Sequence, residues 1–141
     1  MVSLLDVNVL VALLVPEHEH HARAVDWFTT EAVEHGWATR AVTELGVIRG
    51  CAQLPGGVWP PDTTAGALLV LTASSPGNVW WPDAVSPGLL QEVRSASTGK
   101  QVTDRYLLGL ARRNGGQVAT FDRAFAAFGR SDVICLLPAH R

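Results

Sequence analysis

The N-terminal stretch Val2-Ser3-Leu4-Leu5-Asp6-Val7-Asn8-Val9-Leu10 indicates the fold of the whole chain. It opens with a short apolar run that ends at Asp6, which is typical of a buried β-strand. Apolar residues then recur at helical spacing through Leu14, and Asn8 is the predicted N-cap of that helix. The stretch therefore predicts a strand, a turn that carries an aspartate, and a helix.

The same alternation of strands and helices continues along the chain. Further strands are predicted at residues 37–39, 79–81, 117–120 and 133–137, the second of these ended by Pro82. Helices are predicted at residues 20–34 and 41–52, after a cap at Asp62, after Ser86-Pro87, and from Thr103 with Asp104 as its first residue. This order predicts an α/β fold, a three-layer α/β/α sandwich around a central parallel sheet of about five short strands.

Composition limits the classes of protein that this chain can belong to. Its 141 residues are 48% hydrophobic and 17% charged, which suits one folded domain over residues 1–141. The formal net charge of −2 excludes the strongly basic surface that passive nucleic-acid binders use to displace counterions. Asp6 and Asn8 interrupt the apolar N-terminus, so it is neither a signal peptide nor a membrane span. Cys51 and Cys135 lack metal-binding spacing, so we expect buried free thiols and a cytoplasmic location.

Four acidic residues occupy positions where ligands gather in such folds. Asp6 and Asp122 follow predicted strands, whereas Glu44 and Asp104 lie early in predicted helices. Ligands of open parallel sheets bind at the carboxyl ends of the strands, so these side chains can converge at one edge. Crowded carboxylates repel one another, and a native cluster of them suggests bound Mg²⁺ or Mn²⁺.

Each acid also has a simpler structural interpretation. Asp104 can be a favourable first-turn acid, and Asp122 can cap a short helix at residues 123–128. Glu44 alone would be an ordinary solvated helix residue. Asp6 is harder to explain by packing alone, because it closes an apolar strand. Spacing by itself leaves both interpretations open.

Two other groups of residues are candidates, one for binding a metal ion and one for stacking on bases. His18-Glu19-His20-His21 resembles a metal cluster, but a solvated helix start is the favoured interpretation because metal sites need convergent ligands and orienting partners. The tryptophans can stack bases as in single-strand binders, although only Trp59 lies in a loop where exposure is expected.

Four segments in order carry a family resemblance. They are Leu5-Asp6-Val7-Asn8-Val9-Leu10, Thr43-Glu44-Leu45-Gly46-Val47-Ile48-Arg49, Gln101-Val102-Thr103-Asp104-Arg105-Tyr106-Leu107-Leu108-Gly109-Leu110-Ala111, and Ala119-Thr120-Phe121-Asp122-Arg123. Trp80-Trp81-Pro82-Asp83 lies between the second and third. Together they resemble the PIN-domain ribonucleases, specifically the VapC-type toxins, over nearly the whole chain. The match begins near Val2, so we expect a complete N-terminus.

The resemblance implies a Mg²⁺-dependent endoribonuclease, with Mn²⁺ as the alternative ion, that acts as a toxin. It implies an RNA substrate, an antitoxin protein that covers the site through a basic segment, and a homodimer. Asp6, Glu44, Asp104 and Asp122 match the family's catalytic and metal-binding acids, and Asn8 and Thr120 match its supporting polar positions. Arg40, Arg105 and Arg123 flank the acids and are weaker candidates for contacts with the RNA phosphates.

Two alternatives remain open from the sequence. One is a catalytically inactive PIN-like module that keeps the fold to bind a partner. The other is a Mg²⁺-binding phospho-acceptor domain, which would need an acidic pair after the first strand and a lysine after the last. Neither feature is present, and the single lysine, Lys100, lies elsewhere.

Overall fold

A computed structural model describes residues 1–81 and 85–139. Four strands form one parallel sheet in the order β2-β1-β3-β4: β1 (Ser3–Leu5), β2 (Trp37–Ala38), β3 (Gln117–Thr120) and β4 (Val133–Cys135). The central strand β1 pairs through Ser3 with both Trp37 and Gln117. The expected α/β fold with a parallel sheet is confirmed.

Eight α-helices and several single turns connect the strands within the described residues. The helices are α1 (Val7–Leu14), α2 (His21–Trp27), α3 (Val33–His35), α4 (Ala41–Ala52), α5 (Pro61–Ser74), α6 (Gln91–Arg94), α7 (Gly99–Arg113) and α8 (Arg123–Gly129). A π-helical turn, Phe28–Ala32, joins α2 to α3, and 3₁₀ turns lie at Pro55–Gly57, Pro87–Leu89 and Arg130–Asp132.

Each face of the sheet has its own hydrophobic core. Side chains of adjacent strand residues point to opposite faces, so Leu4 and Val118 belong to one core, and Leu5 and Ala119 to the other. The Leu5 core is completed by α1, α4 and α5, and the Leu4 core by α7 and α8. This arrangement is the expected three-layer sandwich. No helix in residues 1–81 and 85–139 combines the length and apolar character needed to cross a membrane.

The expected third strand at residues 79–81 does not form as a strand. The segment pairs with β2 only through a single parallel bridge between Asn78 and Trp37, so the sheet has four strands instead of about five. Beyond the bridge the chain leaves the sheet to bury Trp81 in the Leu4 core, while Trp80 stays 76% exposed. Pro82 and Asp83, which were predicted to end this strand and follow it, lie outside the described residues.

Several predicted helix starts were wrong by a few residues. Helix α1 begins at Val7 and is capped by Asp6, not by Asn8. Helix α7 begins at Gly99, so Asp104 lies in its second turn. Asp62 lies in the first turn of α5, where Pro60 occupies the cap position. The helix predicted after Ser86 is broken into a 3₁₀ turn and α6, because Leu90 between them is extended.

The turn at Gly77 fixes the outer edge of β2. The Gly77 carbonyl accepts a hydrogen bond from the Trp37 backbone N–H at 2.9 Å, and Gly77 has a φ of +84°. A Cβ at this position would lie 2.6 Å from the carbonyl oxygen of Val33. Only glycine meets both constraints without displacing the backbone.

Gly77→Ala should therefore lower the free energy of unfolding by about 1–3 kcal/mol, measured by urea denaturation with circular dichroism. Gly66→Ala is the matched control, because Gly66 is exposed within α5 and a Cβ there meets nothing within 4 Å. The control should raise stability by roughly 0.5–1 kcal/mol. Equal stability of Gly77→Ala and the wild type would contradict the described turn.

Candidate active site

Asp6 connects the end of β1 to the start of α1. Its backbone N–H donates to the carbonyl of Ala119 at 3.0 Å, which extends the pairing of β1 and β3 by one residue. This extended conformation makes Asp6 the N-cap of α1, and its Oδ1 accepts from the Val7 backbone N–H at 2.8 Å. The aspartate is only 7% exposed.

The hydroxyl of Thr120, at the end of β3, joins the polar side chains around Asp6. It is buried and donates to Asp6 Oδ2 at 2.7 Å. Its oxygen accepts from Asn8 Nδ2 at 3.2 Å and from the Asp122 backbone N–H at 3.0 Å. Asn8 Oδ1 accepts from the Phe121 backbone N–H at 3.1 Å. One hydroxyl therefore holds Asp6, Asn8 and Asp122 in fixed relative positions.

Asp122 is the N-cap of α8. Its Oδ1 accepts from the backbone N–H groups of Ala124 at 2.9 Å and Phe125 at 3.1 Å. The predicted capping role is thus confirmed. Oδ2 makes no hydrogen bond within residues 1–81 and 85–139, so the carboxylate keeps acceptor capacity beyond its structural role.

Asp104 lies across from these two acids on α7. Burial and the negative charges of Asp6 and Asp122 raise the pKa of Asp104 from 3.8 to about 6, against the opposing charges of Arg105 and Lys100. Its place in the second turn of α7 also weakens the helix-dipole explanation, because that effect decays within the first turn. The helix dipole therefore does not explain why Asp104 lies beside two other acids.

Asp6 is affected by the same crowding. Burial raises its pKa above 3.8, and the charge of Asp122 adds to the rise. The hydrogen bonds from Thr120 and Val7 oppose it, because they stabilise the ionised carboxylate. Asp6, Asp104 and Asp122 therefore form a mutually repelling group, named here the acidic triad.

Glu44 is held apart from the acidic triad. It lies half-buried on α4, and its Oε2 accepts from Thr39 Oγ1 at 3.2 Å. Its charge is not among the causes that shift the pKa of Asp6 or Asp104. In the described parts of the chain, no three His, Cys, Asp or Glu side chains converge closely enough to coordinate one ion.

The donors of the acidic triad nevertheless suit a hard divalent cation. Carboxylate oxygens are the ligands that Mg²⁺ and Mn²⁺ prefer. Burial and the negative charges of Asp6 and Asp122 both raise the pKa of Asp104, and a cation bound beside it would offset both costs. Asp6, Asp104 and Asp122 are the residues that fit this role.

The three flanking arginines have contacts within the protein. The Arg40 guanidinium donates from Nη1 to the Trp81 carbonyl, and Arg123 donates to the Pro138 carbonyl at 2.7 Å. Arg105 is 8% exposed, and its guanidinium lies 3.4 Å from the ring centroid of Phe128. Arg105 is thus mainly a packing residue, while Arg123 remains half-buried at the surface.

The histidine cluster begins α2, as predicted, but its three histidines are half-buried and not solvated. The His20 ring stacks on Phe121 with centroids 4.8 Å apart, and His21 Nδ1 lies 2.7 Å from the Ala12 carbonyl oxygen. His20 is the residue before α2, and His21 is its first residue. These contacts explain both imidazoles without a metal ion.

A cleft lies beside the acidic triad, and it was not predicted from the sequence. It has a volume of about 300 Å³, opens next to Asp104 and Asp122, and is lined also by Lys100, Gln101 and Phe128. Its two sides come from α7 and α8, which are separate in sequence. The only sequence signal was the spacing of four between Lys100 and Asp104, which places both on one face of a helix.

The chain is similar to known proteins over most of its length. A family model described as PIN domain matches residues 3–131. Ribonuclease VapC39 of Mycobacterium tuberculosis (strain ATCC 25618 / H37Rv) is 42% identical over 129 residues, covering 89% of this chain and 92% of the relative. Ribonuclease VapC29 of the same strain is 38% identical over 141 residues, covering 98% of both chains.

Two solved structures are similar in fold. The crystal structure of FitAcB from Neisseria gonorrhoeae has a TM-score of 0.60 at 21% identity, covering 96% of this chain and 98% of the other. The structure of FitAB bound to an IR36 DNA fragment has a TM-score of 0.64 at 21% identity, with full coverage of both chains. At this identity the likeness concerns the fold alone.

The Thr120 hydroxyl should be required for stability. Thr120→Val removes three hydrogen bonds without changing side-chain volume and leaves polar partners unsatisfied, so the free energy of unfolding should fall by about 1–3 kcal/mol. Urea denaturation measures this change. The control is Thr30→Val, which removes an exposed hydroxyl bonded to Asp26 in its own helix and should stay within about 0.5 kcal/mol of the wild type. Equal effects of both variants would contradict the role of the hydroxyl.

The repulsion in the acidic triad should be visible as a pH-dependent gain on neutralising Asp104. The folded protein binds more protons than the unfolded chain between the unfolded pKa of 3.8 and the folded pKa of about 6. Wild-type stability therefore falls as pH rises through this window. Without divalent ions, Asp104→Asn should have a higher Tm than the wild type at pH 7.5, and the difference should vanish near pH 4.

The expected size of this gain is modest. Asp104 is half-buried, so solvent screening limits the cost of its charge to about 1 kcal/mol, or roughly 3 °C in Tm for a domain of this size. Glu34→Gln controls for the loss of one negative charge, because Glu34 is exposed. A gain that is the same at pH 4 and pH 7.5 would show that charge repulsion is not its cause.

Proposed function

The chain belongs to the PIN-domain family, with VapC ribonucleases as curated relatives, and from this premise we propose that it is a Mg²⁺-dependent endoribonuclease that acts as the toxin of a toxin–antitoxin pair. The observation that carries the proposal is the acidic triad. Asp6 follows β1, Asp122 lies just beyond β3, and Asp104 on α7 completes the group, so the charges of all three interact. The phospho-acceptor alternative lacks both its acidic pair and its lysine.

The acidic triad would bind the cation, with Asp6 and Asp104 as its main ligands. When bound, Mg²⁺ or Mn²⁺ supplies activation of the attacking water and stabilisation of charge on the leaving oxygen of the phosphodiester. Asp6 would keep its orientation through Thr120 and Val7. Asp122 would contribute Oδ2 while Oδ1 remains the cap of α8.

The remaining candidates have supporting roles in this proposal. Asn8 and Thr120 would fix the carboxylates through the hydrogen bonds described above. Glu44, held by Thr39, would contribute an acceptor at the same end of the sheet, because α4 follows β2. Arg40 and Arg123 would contact phosphates at the rim, since neither arginine is fully buried.

The proposed partners follow from the family. An antitoxin would cover the acidic triad with a basic segment, because a cation from the partner offsets the same repulsion as a metal ion. Exposed apolar side chains on α5, such as Leu69 and Val70 at 68% and 64% exposure, suit a homodimer contact. A cytoplasmic location accords with an RNA substrate.

A second candidate is an inactive PIN-like module that binds a partner. It is favoured by one observation: in residues 1–81 and 85–139 no three potential ligands converge tightly. The two candidates differ in metal affinity. Isothermal titration calorimetry with Mg²⁺ and Mn²⁺ should give binding to the wild type and loss of binding in Asp104→Asn if the chain is an enzyme.

Purified chain should cut total cellular RNA into discrete fragments with Mg²⁺ and should leave it intact with EDTA. Asp6→Asn and Asp104→Asn should each lower the initial rate by at least about 100-fold, because each removes a charge that binds the cation. Gel electrophoresis of the RNA measures the rate. Glu34→Gln, which removes an exposed acid outside the site, should cut like the wild type.

The outcome separates the two candidate functions. Cleavage that persists in EDTA or in Asp6→Asn would exclude the proposed metal mechanism. Absence of cleavage by the folded, partner-free wild type, together with no heat of Mg²⁺ or Mn²⁺ binding, would favour the inactive module.

A further inference from the structure

The cleft between α7 and α8 places a lysine and a partly exposed aromatic ring beside the acidic triad. It is bounded by Thr98, Lys100 and Gln101 on one side and by Phe125 and Phe128 on the other, and it opens beside Asp104 and Asp122. Its volume of about 300 Å³ is at the small end of the range for ligand pockets. A cleft of this volume can hold one nucleotide but not a folded segment of a partner protein.

Lys100 gives the cleft a positive charge, which also acts on Asp104. It is the only lysine in the chain, it is exposed, and it has no ion-pair or hydrogen-bond partner in the described parts of the molecule. It lies four residues before Asp104, so both side chains project from the same face of α7. A cation one helical turn from the acidic triad is well placed to bind a phosphate adjacent to the one being cut.

Phe128 gives the cleft an aromatic surface. Its side chain is 43% exposed, which is unusual for phenylalanine, and one face of its ring is covered by the Arg105 guanidinium at 3.4 Å. Arg105 is itself held by Ser95 at 3.3 Å and Gln101 at 3.5 Å. The ring is therefore fixed in orientation while part of it faces solvent.

We propose that this cleft is a subsite for one nucleotide of the RNA strand, next to the bond that is cut, in which Lys100 binds a backbone phosphate and Phe128 stacks on the base. The inference rests on the proposed ribonuclease activity and adds where the substrate is held. Aromatic rings and cations together are the usual means of binding single strands, because every base offers a π-face to stack on. Thr98 and Gln101 add a hydroxyl and an amide for polar contacts at the base edge.

The proposed subsite also explains how a chain with an acidic site could bind RNA. With a net charge of −2 and an acidic triad at its centre, the site repels RNA unless cations lie close by. Arg105 is committed to Phe128, and Arg123 donates to Pro138. Within the described residues of the cleft, Lys100 is the cation that makes no hydrogen bond or ion pair with the protein, although its charge also acts on Asp104.

Binding of a fluorescein-labelled single-stranded oligoribonucleotide tests the proposal by fluorescence anisotropy. All variants carry Asp6→Asn, so that the RNA is not cut, and each Kd is measured at several salt concentrations with Mg²⁺ present. Lys100→Gln should weaken binding and reduce the slope of log Kd against log salt by about 0.7, the value for one phosphate contact with a single strand. Phe128→Ala should weaken binding roughly tenfold with an unchanged slope, because stacking releases no counterions.

Matched controls separate the subsite from general effects. Arg113→Gln removes a cation from the last turn of the same helix, about 20 Å along its axis from Lys100, and should change neither Kd nor slope. Leu89→Ala truncates a side chain with 78% exposure in the 3₁₀ turn Pro87–Leu89 and should bind like its parent. Phe128→Leu keeps an apolar side chain under Arg105. It replaces Phe128→Ala if that variant does not fold, and it should lose most of the contribution of base stacking to binding.

A second measurement uses the single lysine directly. Acetylation with an amine-reactive reagent, followed by mass spectrometry, should modify Lys100 in the free Asp6→Asn protein and should be slowed several-fold by the oligoribonucleotide. The N-terminal amine, which has no part in the cleft, is the internal control and should react equally in both samples.

The outcomes distinguish this inference from the function on which it rests. If the wild type cuts RNA but Lys100→Gln and Phe128→Leu bind with the parent Kd and slope, the subsite is wrong and the ribonuclease stands. If the wild type neither cuts nor binds RNA, both fail. Slower acetylation of Lys100 in the presence of a purified antitoxin but not of RNA would assign the cleft to a protein and would overturn the proposal.

Discussion

The hydrogen bond from the Thr120 hydroxyl to Asp6 Oδ2, at 2.7 Å, is the contact on which the candidate site depends. It joins the ends of the two central strands, β1 and β3, where the sheet stops and the helices begin. The same hydroxyl accepts from Asn8 and from the Asp122 backbone. Because a buried hydroxyl has one proton and two lone pairs, these three bonds use its full capacity.

The hydrogen bond also limits the cost of burying a carboxylate. Burial raises the pKa of Asp6, and the bonds from Thr120 and Val7 lower it again. Asp104 has no such bond to offset its burial, and its pKa rises to about 6. The acidic triad therefore contains one carboxylate stabilised by donors, one that is a helix cap, and one whose burial is offset only by the nearby charges of Arg105 and Lys100. Neither a cap nor a hydrogen bond accounts for the position of Asp104, and the proposed cation site does.

Local sequence patterns predicted most of the strands and one helix cap. They failed at the helix starts that are set by tertiary contacts. The strands β1, β3 and β4 were found because apolar runs end at turn residues, and the capping role of Asp122 follows from residue type. Asn8 and Asp6 are both good cap residues, and the sequence gives no reason to prefer either. The choice is made by the bond from Asp6 to Ala119, which keeps Asp6 extended. The early start of α7 at Gly99 was missed because glycine is a poor helix former, although Thr98, a residue type favoured at N-caps, occupies the cap position.

The start of α7 matters beyond the boundary of one helix. Had the helix begun at Asp104, the acid would have been explained by the helix dipole, and Lys100 would have lain in a loop. Because α7 begins at Gly99, Lys100 is fixed one turn from Asp104 and faces the same cleft. Phe128 reaches that cleft from α8, whose position is set by the cap at Asp122. Asp122 thus helps to orient the helix that carries the aromatic ring, and Asp104 lies on the helix that carries the cation, so the acids and the space beside them belong to the same two helices.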